Sequence, residues 1–147
     1  MANIVYNKGL AQWTDPATGP GVGDWEVILE RSTSTYAPDK DDDSLLDQAG
    51  WVEIDVATYA RQDLANFASA AVDGSDLAKH DVDDVAFGNL EAGQTVKSVI
   101  VARNDGGNYV PFLRIDTDSG GLLPRALGGG AFTVQINASG LLTFAQS

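Results

Sequence analysis

The sequence predicts an all-β protein: an antiparallel β-sandwich, jelly-roll-like, with short helical segments and long loops. Roughly seven to nine short runs alternate apolar with polar residues, and turn-forming residues recur about every ten positions. No long run has the three-to-four-residue apolar spacing of a helix, which disfavours a parallel sheet with crossover helices. The most apolar stretch, residues 95–115 (TVKSVIVARNDGGNYVPFLRI), reads as a central hairpin. Its two β-rich runs are joined by about five residues, Asn104 to Asn108, that include Gly106 and Gly107.

Taken in order, residues 3–13 place Ile4, Leu10 and Trp13 among polar positions, and Gly9 weakens a helix there; a short helix or an arm is expected. Residues 15–21, DPATGPG, must be loop. The first clear strand sets Trp25, Val27 and Leu29 against Glu26, Ile28 and Glu30, an alternation suited to a half-buried strand. Residues 31–43, RSTSTYAPDKDDD, turn polar and form a surface loop. Ser44 then caps a short turn that buries Leu45 and Leu46.

Residues 51–56 alternate again, with Val52, Ile54 and Val56 opposite Trp51, Glu53 and Asp55, and residues 58–61 continue as strand after a kink. Residues 65–72 read as strand because Asn66 and Asp73-Gly74 bound them with turns. Val85 and Phe87 form a short apolar step before Gly88. In the central hairpin, Val96, Ile100 and Ala102 share one face with Ser98, and Val99 and Val101 occupy the other. Both faces are apolar, as in a strand deep within a sheet. A glycine-rich loop, residues 116–130, leads to a last hairpin of Phe132, Val134 and Ile136 against Leu142 and Phe144, turned through residues 137–140. The organisation expected is an arm and loop over residues 1–23 and a single β-sandwich domain over residues 24–147.

Composition narrows the function. With 147 residues, 44% of them hydrophobic, the chain can bury a core without staples. It has no cysteine, so disulfide and thiolate chemistry are absent. A net charge of −12 repels nucleic-acid phosphate and anionic membranes, and the basic residues are too scattered for a nucleic-acid face. No apolar run approaches the ~20 residues of a membrane span, and no secretory signal is expected at the N-terminus.

Catalytic candidates are sparse. The single histidine, His80, lies in Lys79-His80-Asp81, but no Gly-x-Ser-x-Gly elbow accompanies it, and a surface role is expected. The carboxylates Asp39, Asp41, Asp42 and Asp43, and those from Asp73 to Asp84, lack the alternating ligand pattern of a calcium loop. Asp116-Thr117-Asp118-Ser119-Gly120 begins such a pattern, but its twelfth residue is Leu127 rather than glutamate. With one histidine and no cysteine, zinc is poorer still, and no cofactor is expected. Gly106-Gly107 and Gly128-Gly129-Gly130 do not form a phosphate loop. Asn137-Ala138-Ser139 reads as turn chemistry. Among the aromatics, Trp25 belongs to the core, whereas Trp51 lies on a polar-alternating face and is the candidate exposed aromatic. Ile4, Tyr6 and Trp13 join it as candidate interface residues, on an arm able to cross to a neighbour.

The order of these runs resembles a group of small virion proteins of tailed bacteriophages. The resemblance is carried by Trp25 to Leu29, Ser34-Thr35-Tyr36-Ala37-Pro38-Asp39, Tyr59-Ala60-Arg61, Asp81-Val82-Asp83-Asp84-Val85-Ala86-Phe87-Gly88, residues 95–115, and Gly129-Gly130-Ala131-Phe132-Thr133-Val134. It covers most of the chain from Asp24 onward; residues 14–23 and 66–76 depart from the pattern. What it implies is a virion structural role without catalysis. The first expectation is a capsid decoration (cement) protein bound to the major capsid protein or another virion protein, as a homo-oligomer with a trimer favoured. The alternative is a tail or head-fibre module that recognises a host glycan or receptor.

Overall fold

A computed structural model describes residues 3–72, 77–117, 123–136 and 142–146, with the side chains of 68–72, 77–81 and 142–146 outside that description. The strands are β1 (Ile4–Val5), β2 (Trp25–Arg31), β3 (Gln62–Asp63), β4 (Ala68–Val72), β5 (Leu77–Asp81), β6 (Val85–Asn89), β7 (Thr95–Asp105), β8 (Asn108–Ile115), β9 (Arg125–Ala126), β10 (Ala131–Ile136) and β11 (Leu142–Gln146); one helix, α1 (Asn7–Thr14), follows β1. The pairings are antiparallel and the fold is β-sandwich-like, as the alternation implies. One sheet runs β1-β8-β7-β2-β3, with β9 beside β7 beyond the end of β8. A three-stranded sheet, β11-β10-β6, packs on it, and β4–β5 form a separate ribbon.

The main core lies between the two larger sheets. Trp25, Val27, Leu29, Val96, Val99, Val101 and Ile115 meet Val85, Phe87, Phe132 and Val134, all buried. Burying such side chains contributes about 1.5–3 kcal/mol each relative to exposure.

The central hairpin departs from its expected form in two ways. Its loop is two residues, not five, because Asn104 pairs with Tyr109 and Asp105 with Asn108. Gly106 and Gly107 take φ of +63° and +94°, a left-handed backbone that matches the strand twist and that side-chain-bearing residues resist. A bulge at Lys97 also breaks the alternation, since Glu30 pairs with Ser98 but Arg31 with Val96. Val96 therefore joins Val99 and Val101 in the main core, while Ser98, Ile100 and Ala102 face the other way. Strict period-two reading put Val96 on the wrong face.

Residues 51–61 were expected to be strand. They lie along the outer edge of β2 but make only a bridge, Glu53 to Glu30, before the two-residue β3. The bonds Arg31 N to Val52 O (2.9 Å) and Ile54 N to Leu29 O (2.9 Å) hold them there. Leu45 is buried as expected, whereas Leu46 is 39% exposed, because residues 44–50 form turns that bury one leucine only. The last-hairpin turn at 137–140 lies outside the described residues.

The N-terminal segment folds on its own chain rather than reaching outward. Ile4 and Val5 pair with Arg114 and Leu113 of β8. Helix α1 lies so close to β8 that a Cβ on Gly9 would stand 2.1 Å from the Pro111 carbonyl oxygen. Gly9 is thus a requirement of close packing; its poor helix propensity, the property read from sequence, is a secondary cost.

Candidate functional site

The second face of the central sheet is where the molecule concentrates its chemistry. Glu26, Ile28 and Glu30 were expected to form the polar side of a half-buried strand. Instead Ile28 and Glu30 are fully buried, with Ile100, Ala102, Tyr109, Tyr36 and Leu45 in a second apolar cluster and Trp51 packed against it. The cover is the chain's own loop, residues 32–51.

At the centre of this face, Arg114 and Glu30 form an ion pair with both side chains at 0% exposure. Arg114 donates through Nε (3.0 Å) and Nη2 (2.8 Å) to Glu30 Oε2, and through Nη1 (2.8 Å) to Asp116 Oδ2. Ser98 Oγ donates to the same Glu30 oxygen. Lys97 Nζ lies 3.6 Å from Glu30 Oε1 and donates to the Ser34 carbonyl at 2.9 Å. Two cations and two carboxylates therefore balance around the buried Arg114–Glu30 centre, with Lys97 22% exposed at its rim. Burial alone would lower the guanidinium pKa of Arg114; the adjacent Glu30 and Asp116 carboxylates raise it above its ordinary value. Strand register explains the meeting: Ser98 stands opposite Glu30, and Arg114 opposite Ile100 one step along.

A hydroxyl chain runs from this face to the acidic loop. The Tyr6 and Tyr36 hydroxyls are 3.1 Å apart, and Tyr36 donates to Asp42 Oδ2 at 2.7 Å, which leaves Tyr6 to donate to Tyr36. Burial pushes the Tyr6 hydroxyl up to about 12, and Tyr36 is raised further by burial and its bonds to Tyr6 and Asp42. The loop carboxylates are each engaged. Asp39 Oδ1 accepts from the Asp41 amide, Asp42 Oδ2 from the Asp39 amide, Asp41 from Asn7 Nδ2, and Asp43 pairs with Lys8. They shape and anchor the loop instead of converging on one point. Among the described residues no His, Asp and Glu side chains gather as a metal cluster.

A third group fastens residues 53–61 to β2. Arg61 makes a bidentate pair with Glu53, Nε to Oε1 at 2.9 Å and Nη2 to Oε2 at 2.7 Å, and lies 4.2 Å over the Tyr109 ring. Tyr59 donates to Glu53 Oε1 at 2.7 Å and accepts from the Leu29 amide at 3.1 Å. Burial, then the Glu53 carboxylate, raises the Tyr59 pKa.

Of the four residues expected at an interface, one is fully buried and three are half-buried against the chain's own elements. Tyr6 is fully buried, and Ile4 is half-buried in β1. Trp13 stacks on Phe112 (4.5 Å, 11°) and meets Trp25 edge-on (4.8 Å). Trp51, the candidate exposed aromatic, is half-buried edge-on against Tyr36 (5.8 Å). Its neighbours in sequence are polar, but the loop folds it onto an apolar face. Trp25 is core, as expected, and its Nε1 donates to the Thr18 carbonyl at 3.0 Å.

Other singled-out residues have local work. Asp83 accepts from Asn66 Nδ2, holding the one non-glycine residue with positive φ (+56°) among those described. Asp84 Oδ1 accepts from the Ile136 amide at 2.8 Å. The side chain of His80, in β5, lies outside the described residues, as do Asn137, Ala138 and Ser139. No helix among the described residues is long and apolar enough to cross a membrane. What sequence reading missed is the Glu30–Arg114 pair. The available signal was Glu30 directly after Val27, Ile28 and Leu29, and Arg114 between Leu113 and Ile115, charges set against apolar stretches.

No protein-family model matches the chain, and neither a curated protein nor a solved structure matches it.

Proposed function

We propose that this chain is a structural protein of a tailed-phage virion, of the capsid decoration type, which binds the assembled shell without catalysis. One observation carries the reading. The motif residues that suggested it hold the fold itself: Tyr36 and Asp42 anchor the acidic loop, Tyr59 and Arg61 grip Glu53, and Asp83 and Asp84 tie down neighbouring backbone. A domain whose polar side chains are spent on its own architecture suits a part made in many copies and used for its surface.

The docking surface we favour is the edge where α1 meets the acidic loop. Leu10 (43% exposed) belongs to α1 and Leu46 (39%) follows the acidic loop, in which Asp39, Asp41 and Asp43 are exposed, as is Asp47. Lys8 to Asp43 (3.2 Å) and Asn7 to Asp41 (2.6 Å) hold the two segments together. Apolar residues rimmed by carboxylates suit a partner surface with a positive rim, here the major capsid protein or another virion protein. A trimer at the points where capsomers meet is the form this reading favours.

The test is addition of the purified chain to expanded empty capsids. Binding should saturate at a stoichiometry matched to shell symmetry and raise capsid melting temperature, and Leu10→Asp should weaken binding while leaving the protein folded. Absence of binding would overturn the reading.

A further inference from the structure

A second site lies far from the acidic loop in sequence, where β9 turns into β10. A cleft of about 210 Å³ is lined by Arg125, Ala126, Leu127, Gly128, Gly130, Ala131 and Phe132. Among the described residues no acidic side chain lines it, although the chain carries 21 acidic residues against 9 basic ones. Arg125 is half-buried with its guanidinium 5.5 Å over the Phe132 ring. Its Nη1 is sealed from solvent without a hydrogen-bond partner, and among the described residues no ion pair engages the side chain. Arg31, Arg61, Arg103 and Arg114 each face a carboxylate. Among the described residues the amides of Gly128 and Gly130 donate to no backbone carbonyl, and the space at their Cα positions is open.

We propose that this cleft binds a carboxylate group, held by the Arg125 guanidinium and the Gly128 and Gly130 amides. The Nε and Nη2 edge of this planar fork, with adjacent amide donors, matches a carboxylate's two oxygens, while the sealed Nη1 takes no part. The charge argues for a monoanion: one guanidinium balances one carboxylate, while the −12 field of the whole chain opposes a multiply charged phosphate. The Phe132 ring beneath the guanidinium holds its plane in position for the incoming group. This inference is independent of the virion reading.

The experiment is a nitrogen-15 NMR titration of the full chain at constant ionic strength, with sodium chloride as the control salt. One arm uses acetate; the other uses a short blocked peptide with a single aspartate. Saturable shifts at Arg125 Nε and the Gly128 and Gly130 amides are expected in at least one arm. Arg125→Gln should weaken that binding roughly tenfold or more, with the remaining spectrum intact. Arg125→Lys, which keeps charge but loses the fork, should fall between. A response to acetate as strong as to peptide assigns a free small carboxylate; a response to peptide alone assigns a polypeptide side chain. If neither arm gives saturable shifts there, or if Arg125→Gln responds like the parent, the inference is overturned.

Discussion

On one face of β2, β7 and β8, Leu29, Val99 and Val101 meet Phe132 and Val134 of the opposing sheet, and the contact is apolar. On the other, Ile28 and Ile100 share their space with Glu30, Ser98 and Arg114 beneath an irregular loop. The centres of both faces are buried, yet their covers differ. A sheet presents alternating side chains and can be matched by another sheet through apolar packing alone. A loop has no period and leaves backbone groups to satisfy, so its place must be specified by directional bonds. Lys97 to the Ser34 carbonyl, Tyr36 to Asp42 and Ser34 Oγ to the Gly50 carbonyl supply those bonds.

The contrast can be broken at several points. The largest effect should come from Arg114→Met, which leaves Glu30 charged and enclosed: about 3–5 kcal/mol lost in urea unfolding. Next, Leu29→Ala on the apolar face should cost about 2–5 kcal/mol and leave the loop side intact. A smaller loss would place the main core elsewhere.

Alkali offers a further distinction. The Tyr6 hydroxyl rises from its ordinary 10.0 to about 12 through burial, and Tyr36 is raised by burial as well. The unfolded chain ionises first. The stabilisation is therefore complete below pH 10 and is lost as pH rises from 10 towards 12. Urea midpoints should fall across that window, and Tyr6→Phe should flatten the fall; an unchanged slope would show the hydroxyl chain to be open to water. The smallest effect belongs to Lys8→Ala. Its pair with Asp43 is 46% and 66% exposed, and its removal should cost less than about 1 kcal/mol.

Much of the first face was legible in the sequence and little of the second. Alternation in Trp25–Arg31 and Ala131–Ile136 reported the strands and their inward side chains, because sheet-on-sheet packing enforces period two. The bulge at Lys97 was not legible, since one inserted residue leaves the local pattern plausible on both sides while reversing its sense. Trp51 was misread for a related reason. Its polar neighbours suggested a solvated strand, but residues 51–56 are a loop edge whose side chains are placed by what the loop covers. Tyr6 and Trp13 looked like residues of a free arm, and only the close fit of Gly9 on Pro111 shows why that segment stays home. The candidate site depended on Glu30 meeting Arg114 across 84 positions of sequence, a pairing that only register determines.

The central claim is that the loop-covered face is organised around that one buried charge pair. A double-mutant cycle on Glu30→Met and Arg114→Met, read by urea unfolding, tests it most directly. Each single variant should be strongly destabilised, and the double variant should recover at least about 1–3 kcal/mol relative to the sum of the two. Losses that add to within about 0.5 kcal/mol would contradict the account, because the two charges would then be independent of each other.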